Sequence, residues 1–78
     1  MFAGIDVSKD DLEVRLNSQV EGMNCPNTAA GFARLTRWLK IHHVSRVVLE
    51  ATGGYERQVM KALQAADLEV LGSHPLPR

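Results

Sequence analysis

The segment RVVLEATGGYERQVMKALQAADLEVL, residues 46–71, changes its hydrophobic period twice. Arg46 to Ala51 is an apolar run of strand length, and Thr52-Gly53-Gly54 supplies turn residues at its end. Tyr55, Val59, Ala62, Leu63 and Ala66 then share one helical stripe, and Leu68 to Leu71 reads as a further strand. A strand, a helix and a strand joined by links this short predict a right-handed crossover, which makes the two strands parallel neighbours in one sheet.

Upstream, Phe2 to Val7 is nearly all apolar, the pattern of a central strand covered on both faces, and it stops at the turn residues Ser8-Lys9-Asp10. Leu12, Val14 and Leu16 alternate with Glu13, Arg15 and Asn17, which predicts an antiparallel partner with one wet face. After a turn at Asn17-Ser18, Gln19 to Cys25 forms a third strand, weakened by Gly22. Pro26-Asn27-Thr28 ends it and offers an N-cap, and Phe32, Leu35 and Leu39 lie on one face of a helix from Ala29 to Lys40. The chain thus reads βββαβαβ, an α/β fold with a mixed sheet. The residues His74-Pro75-Leu76-Pro77-Arg78 continue neither helix nor strand.

At 78 residues the chain is one domain at most, and such a domain buries only about 60% of the surface its unfolded chain exposes. Nine Lys and Arg balance nine Asp and Glu, so no global field advertises nucleic acid or an anionic membrane, and any DNA contact has to be local. Cys25 is the sole cysteine, which excludes an internal disulfide, fits a reducing cytosol and suits a structural thiol. No stretch approaches the ~18 apolar residues of a membrane span, and no export signal opens the chain, so a soluble cytoplasmic protein is expected.

Asp6 and Glu50 each close an apolar strand. A buried, unpaired carboxylate costs several kcal/mol, comparable with the whole stability of a small domain, so each charge calls for compensation. Reactive groups of open sheets gather beyond the carboxyl ends of parallel strands, where both residues fall. If they are neighbours on one face, oxygen-only ligation suits Mg²⁺ or Mn²⁺, whereas no Cys/His set is spaced for zinc. Two carboxylates alone make a weak site, since two-metal chemistry needs ions about 3.5–4 Å apart and further acidic ligands. On spacing alone a second reading stands beside this one: Asp6 accepts turn N–H groups around Ser8 and Lys9, and Glu50 pairs with a nearby Arg or Lys.

GIDVSKDDLEV at 4–14, NTAAGFARLTRWL at 27–39 and VVLEATGGYERQVMKALQAADLEV at 47–70 resemble the DEDD insertion-sequence transposases of the IS-one-ten family, in the same order and at similar spacing. The resemblance implies that residues 1–73 are the N-terminal part of a RuvC-like domain of the ribonuclease H fold, incomplete at its C-terminus, followed by a divergent tail at 74–78. Asp6 looks like the first D of the family's acidic set and Glu50 like its E, both catalytic metal ligands for Mg²⁺ or Mn²⁺. The family's other two aspartates lie on a helix beyond the fifth strand and its serine nucleophile lies in a C-terminal domain. These 78 residues are therefore expected to be inactive alone. The partner implied is DNA, with a guide or structured nucleic acid and a homo-oligomeric state expected of the full-length parent, and no membrane.

Other residues carry two readings each. Lys9 offers a phosphate contact or is a solvated turn residue. Thr52, Gly53 and Gly54 open a helix whose amides suit a phosphate, or simply shape a tight turn capped by Thr52 or Gly53. Arg34, Arg37 and Lys40, with Trp38 nearby, offer DNA contacts and a stacking ring, or form the wet side of a helix. His42 and His43 are adjacent and diverge, against joint metal ligation. Two other functional classes remain: an interaction piece that docks on a full-length transposase, and a nucleotide-binding module of the actin and sugar-kinase type. The latter is disfavoured by Val7-Ser8-Lys9, where a glycine-bearing phosphate turn would follow the Asp.

Overall fold

A computed structural model describes residues 2–16, 21–51 and 53–73. The elements are β1 (Phe2–Val7), β2 (Asp11–Leu16), β3 (Gly22–Pro26), α1 (Ala29–Ile41), β4 (Arg46–Ala51), α2 (Arg57–Ala65) and β5 (Glu69–Ser73). They build one five-stranded sheet in the order β3-β2-β1-β4-β5. β2 is antiparallel to β1 and β3, while β1, β4 and β5 run parallel. This is a ribonuclease H-like mixed sheet, with β1 at its centre.

Alternation decides which face is dry. Ala3, Ile5 and Val7 of β1, Leu12, Val14 and Leu16 of β2, Cys25 of β3, and Val47 and Leu49 of β4 are buried. Phe32, Leu35 and Leu39 of α1 and Val59 and Leu63 of α2 join them in a single core. Both helices therefore cover the same face. The other face of β1, with exposed Phe2, half-buried Gly4 and exposed Asp6, lacks a covering layer among the described residues, which corrects the expectation of a strand buried on both sides. The apolar run misleads because Phe2 and Gly4 are apolar in type yet stand on the open face.

Local chemistry sets the joints. Thr28 caps α1, its Oγ1 accepting from the Gly31 N–H at 3.2 Å. A Cβ at Gly31 would collide with the Pro26 carbonyl, so glycine is what lets this helix start directly on the end of β3. Both helices close with six-residue return bonds, Val44 N–H to the Leu39 carbonyl and Leu68 N–H to the Leu63 carbonyl, at 2.9 and 3.1 Å. The left-handed residues that permit this are His43 and Asp67, at φ 59° and 66°, rather than glycines, and the following Val44 and Leu68 are buried.

The boundaries differ from the sequence reading at β3 and α2, at β5, which runs Glu69–Ser73 where the sequence predicts Leu68 to Leu71, and by one residue at the end of α1. β3 begins at Gly22 and includes Pro26, an edge position that needs no N–H; Asn17 to Val20 lie outside the described residues. α2 begins at Arg57, with Glu56 as its N-cap, because Gly53 and Gly54 both take φ of 81° and carry the chain away from a helical path. Tyr55 consequently precedes the helix and is exposed instead of sharing its apolar stripe. The tail from His74 to Arg78 lies outside the described residues.

Candidate active site

Asp6 is the penultimate residue of β1 and Glu50 the penultimate residue of β4. In the parallel ladder they are direct register partners, so both side chains leave the sheet on the same face. The face is the open one, and both residues are exposed. The row continues across the sheet: Glu13 of β2 is opposite Asp6, Asn24 of β3 opposite Glu13, and Ser73 of β5 opposite Glu50. Three carboxylates thus lie side by side on neighbouring strands. Gly4 and Arg15 border them to form a shallow depression with Ile5, and a Cβ at Gly4 would meet nothing, so its floor is open.

Exposure corrects the premise that these charges are costly to hold. Neither carboxylate is desolvated, so the compensation argued from burial is not required. The alternative of a capping Asp6 and an ion-paired Glu50 fares no better. The turn after β1 is closed by Ser8, whose Oγ donates to the Asp11 carbonyl at 3.1 Å and accepts from the Asp11 N–H at 3.3 Å. Arg15 pairs with Glu13 at 3.3 Å and Arg46 with Glu69 at 3.1 Å. Among the described residues, the Asp6 and Glu50 carboxylates have no hydrogen-bond or ion-pair partner.

Two solvent-exposed carboxylates on adjacent strands fit a hard divalent cation in kind, though not in number. No group of three or more His, Cys, Asp or Glu side chains is arranged to hold a metal among the described residues. Glu13, the nearest third carboxylate by register, is turned to Arg15.

The remaining sequence candidates are dispersed. Lys9 is exposed in the β1–β2 turn, at the same end of the sheet as Asp6. Thr52 lies outside the described residues. Helix α2 starts beyond the glycine turn with Glu56 at its N-cap, so Gly53 does not cap it. Arg34 and Arg37 are exposed on α1, in the layer behind the sheet, and share no surface with Asp6 and Glu50. Trp38 is half-buried with its ring 4.4 Å from that of His42, whose Nδ1 lies 3.8 Å from Glu21, while His43 is exposed.

One residue of the site escaped the sequence reading. Asn27 donates from Nδ2 to the Ser8 carbonyl at 2.9 Å and to the Tyr55 carbonyl at 3.2 Å, and from its backbone N–H to the Asp10 carbonyl at 2.9 Å. It ties the turn after Asp6 to the turn after Glu50. Its only sequence signal is a polar residue between β3 and the α1 cap.

A comparison with functionally characterised proteins finds no match. The profile of a transposase family, the DEDD transposases of the IS110 (IS-one-ten) type, matches residues 3–77. Among the described residues no helix is long and apolar enough to cross a membrane. With the match spanning nearly all of a chain whose sheet sets Asp6 beside Glu50, this protein belongs to the DEDD transposase family of the IS110 type.

Proposed function

We propose that the chain contributes Asp6 and Glu50 as two of the carboxylates of a Mg²⁺- or Mn²⁺-dependent centre that acts on DNA phosphodiesters. The observation that carries this is their pairing as unpartnered register neighbours on an open sheet face. Family membership supports DNA as partner and divalent-metal chemistry as the mode of action. Asp6 and Glu50 would hold the ion, and the ion would supply Lewis-acid polarisation of a phosphate oxygen. The chain's own contribution is positional: the parallel ladder fixes the spacing of the two carboxylates, and Asn27 holds the turns beyond them.

Two ligands do not complete such a centre, and these 78 residues alone are proposed to bind metal weakly without cleaving DNA. Titration with Mn²⁺, followed by paramagnetic broadening of backbone resonances, tests the assignment. Broadening centred on Asp6 and Glu50 and removed by Asp6→Asn with Glu50→Gln is expected; broadening elsewhere, or metal-dependent cleavage lost in Asp6→Asn, would overturn one part or the other.

A second reading rests on the apolar part of the open face, where Val48 is opposite Leu71 in the β4–β5 ladder and Leu71 is 45% exposed. This strip suits docking on a full-length transposase. Co-sedimentation with such a protein, lost in Leu71→Asp, distinguishes it from the catalytic reading.

A further inference from the structure

The neutral total hides a division of charge between the two layers. Helices α1 and α2 carry Arg34, Arg37, Lys40, Arg57 and Lys61 and not one Asp or Glu. All five are exposed, and none has a hydrogen-bond or ion-pair partner among the described residues. The strands behind them carry Asp6, Asp11, Glu13, Glu50 and Glu69, and their two cations, Arg15 and Arg46, are both ion-paired. Ordinary surfaces intersperse the signs, whereas here five of the six unpaired cations among the described residues gather on the helical side, Lys9 being the sixth, and the acidic residues Glu56 and Asp67 stand only at the two ends of α2.

We propose that the helical layer is a second nucleic-acid surface, which binds the phosphodiester backbone of a duplex on the side of the molecule away from Asp6 and Glu50. A helix with its side chains is about 10–12 Å thick, so a phosphate at the carboxylates cannot also touch Arg37. Arginine supplies three of the five cations, and its planar fork matches phosphate oxygens. Of the two rings on these helices, Phe32 is buried in the core and Trp38 is half-buried against His42, so neither stands out as an exposed platform for an unstacked base. The surface therefore fits a stacked duplex through its backbone, without base readout. The inference rests on family membership and charge placement and is independent of the metal reading.

The test is fluorescence anisotropy of the 78-residue chain with short DNA duplexes, RNA duplexes and single strands in EDTA, across a salt series. Duplex affinity above single-strand affinity is expected, and the DNA and RNA arms identify which backbone is preferred. The double variant Arg37→Glu with Lys61→Glu should weaken duplex binding at least about tenfold and lower the slope of log affinity against log salt by about 2. Asp6→Asn with Glu50→Gln should bind duplex at least as well as the parent while losing Mn²⁺, so failure of either reading is seen separately. Undiminished duplex binding by the charge-reversed variant, a preference for single strands, or no duplex binding at all overturns the proposal. Self-association that the charge reversal abolishes while duplex binding persists would assign the surface to the acidic face of a second copy instead.

Discussion

The side-chain amide of Asn27 lies 3.2 Å from the carbonyl of Tyr55, 28 residues away, while also holding the Ser8 carbonyl at 2.9 Å. One amide thus joins the loops that leave β1 and β4, the strands that bear Asp6 and Glu50. Asn27→Ala removes both donors but lets water reach the freed carbonyls, a loss of about 1 kcal/mol. Asn27→Asp sets a carboxylate against two carbonyl oxygens and should cost more, about 2–3 kcal/mol. Urea denaturation should rank them in that order; equal stability of all three proteins would remove the clamp from the account.

Gly31 is predicted to be the least replaceable glycine of the fold. It stands in the first turn of α1, where an added methyl would meet the Pro26 carbonyl, backbone against backbone with no rotamer to relieve it. Ordinarily Gly→Ala stabilises a helix interior by about 1 kcal/mol. Here Gly31→Ala should destabilise by about 1–3 kcal/mol, the range for overpacking. Thermal unfolding decides the sign, and a stabilised Gly31→Ala would mean that α1 can shift off β3 freely.

Element order was legible because the hydrophobic period changes cleanly at Thr52-Gly53-Gly54 and again at Leu68, and because the alternation of Leu12, Val14 and Leu16 admits one dry face only. The parallel pairing of β4 with β5 followed from the short links that join strand, helix and strand. Three features were not legible. Residue type does not reveal exposure, so Phe2 and Gly4 made β1 look buried on both sides. The helix stops rest on His43 and Asp67 in the left-handed conformation, where glycine is the usual signal. The contacts of Asn27 join positions far apart in sequence, and no local pattern announces them. For the site, the placement of Asp6 and Glu50 at strand ends could be read from the chain, but their shared face could not, because it depends on register.

Burial of Cys25 beneath α1 pushes its thiol above the ordinary value of 9.0, with Asp11 acting in the same direction and Arg34 against it. The thiol in the folded chain should therefore react slowly with alkylating reagents at neutral pH and quickly in urea. The sign of the linkage is fixed as well: a raised pKa in the fold means stability is fully present below pH 9.0 and declines as pH rises through the folded value. Cys25→Ala should abolish that contribution to the alkaline loss, although the cavity lowers stability at every pH. Unfolding midpoints across the alkaline range, compared between the two proteins, check this.

Asp6 and Glu50 are like charges at directly opposed positions of adjacent strands, which lie about 4.7–4.9 Å apart in such ladders. Opposed like charges destabilise a sheet, so in EDTA either Asp6→Asn or Glu50→Gln should raise stability, by about 0.2–1 kcal/mol. A cation held between them reverses the balance. Mg²⁺ should raise the Tm of the parent chain in proportion to the logarithm of its concentration above the dissociation constant, and should leave the two variants unmoved. Arg15 sharpens the comparison, because it neutralises Glu13 on the next strand and so keeps that carboxylate out of the response. Glu13→Gln should therefore retain the Mg²⁺ shift that Asp6→Asn loses. A shift of equal size in the parent and all three variants would show that the ion binds elsewhere, and a variant less stable than the parent in EDTA would show that these carboxylates serve the fold instead of a metal.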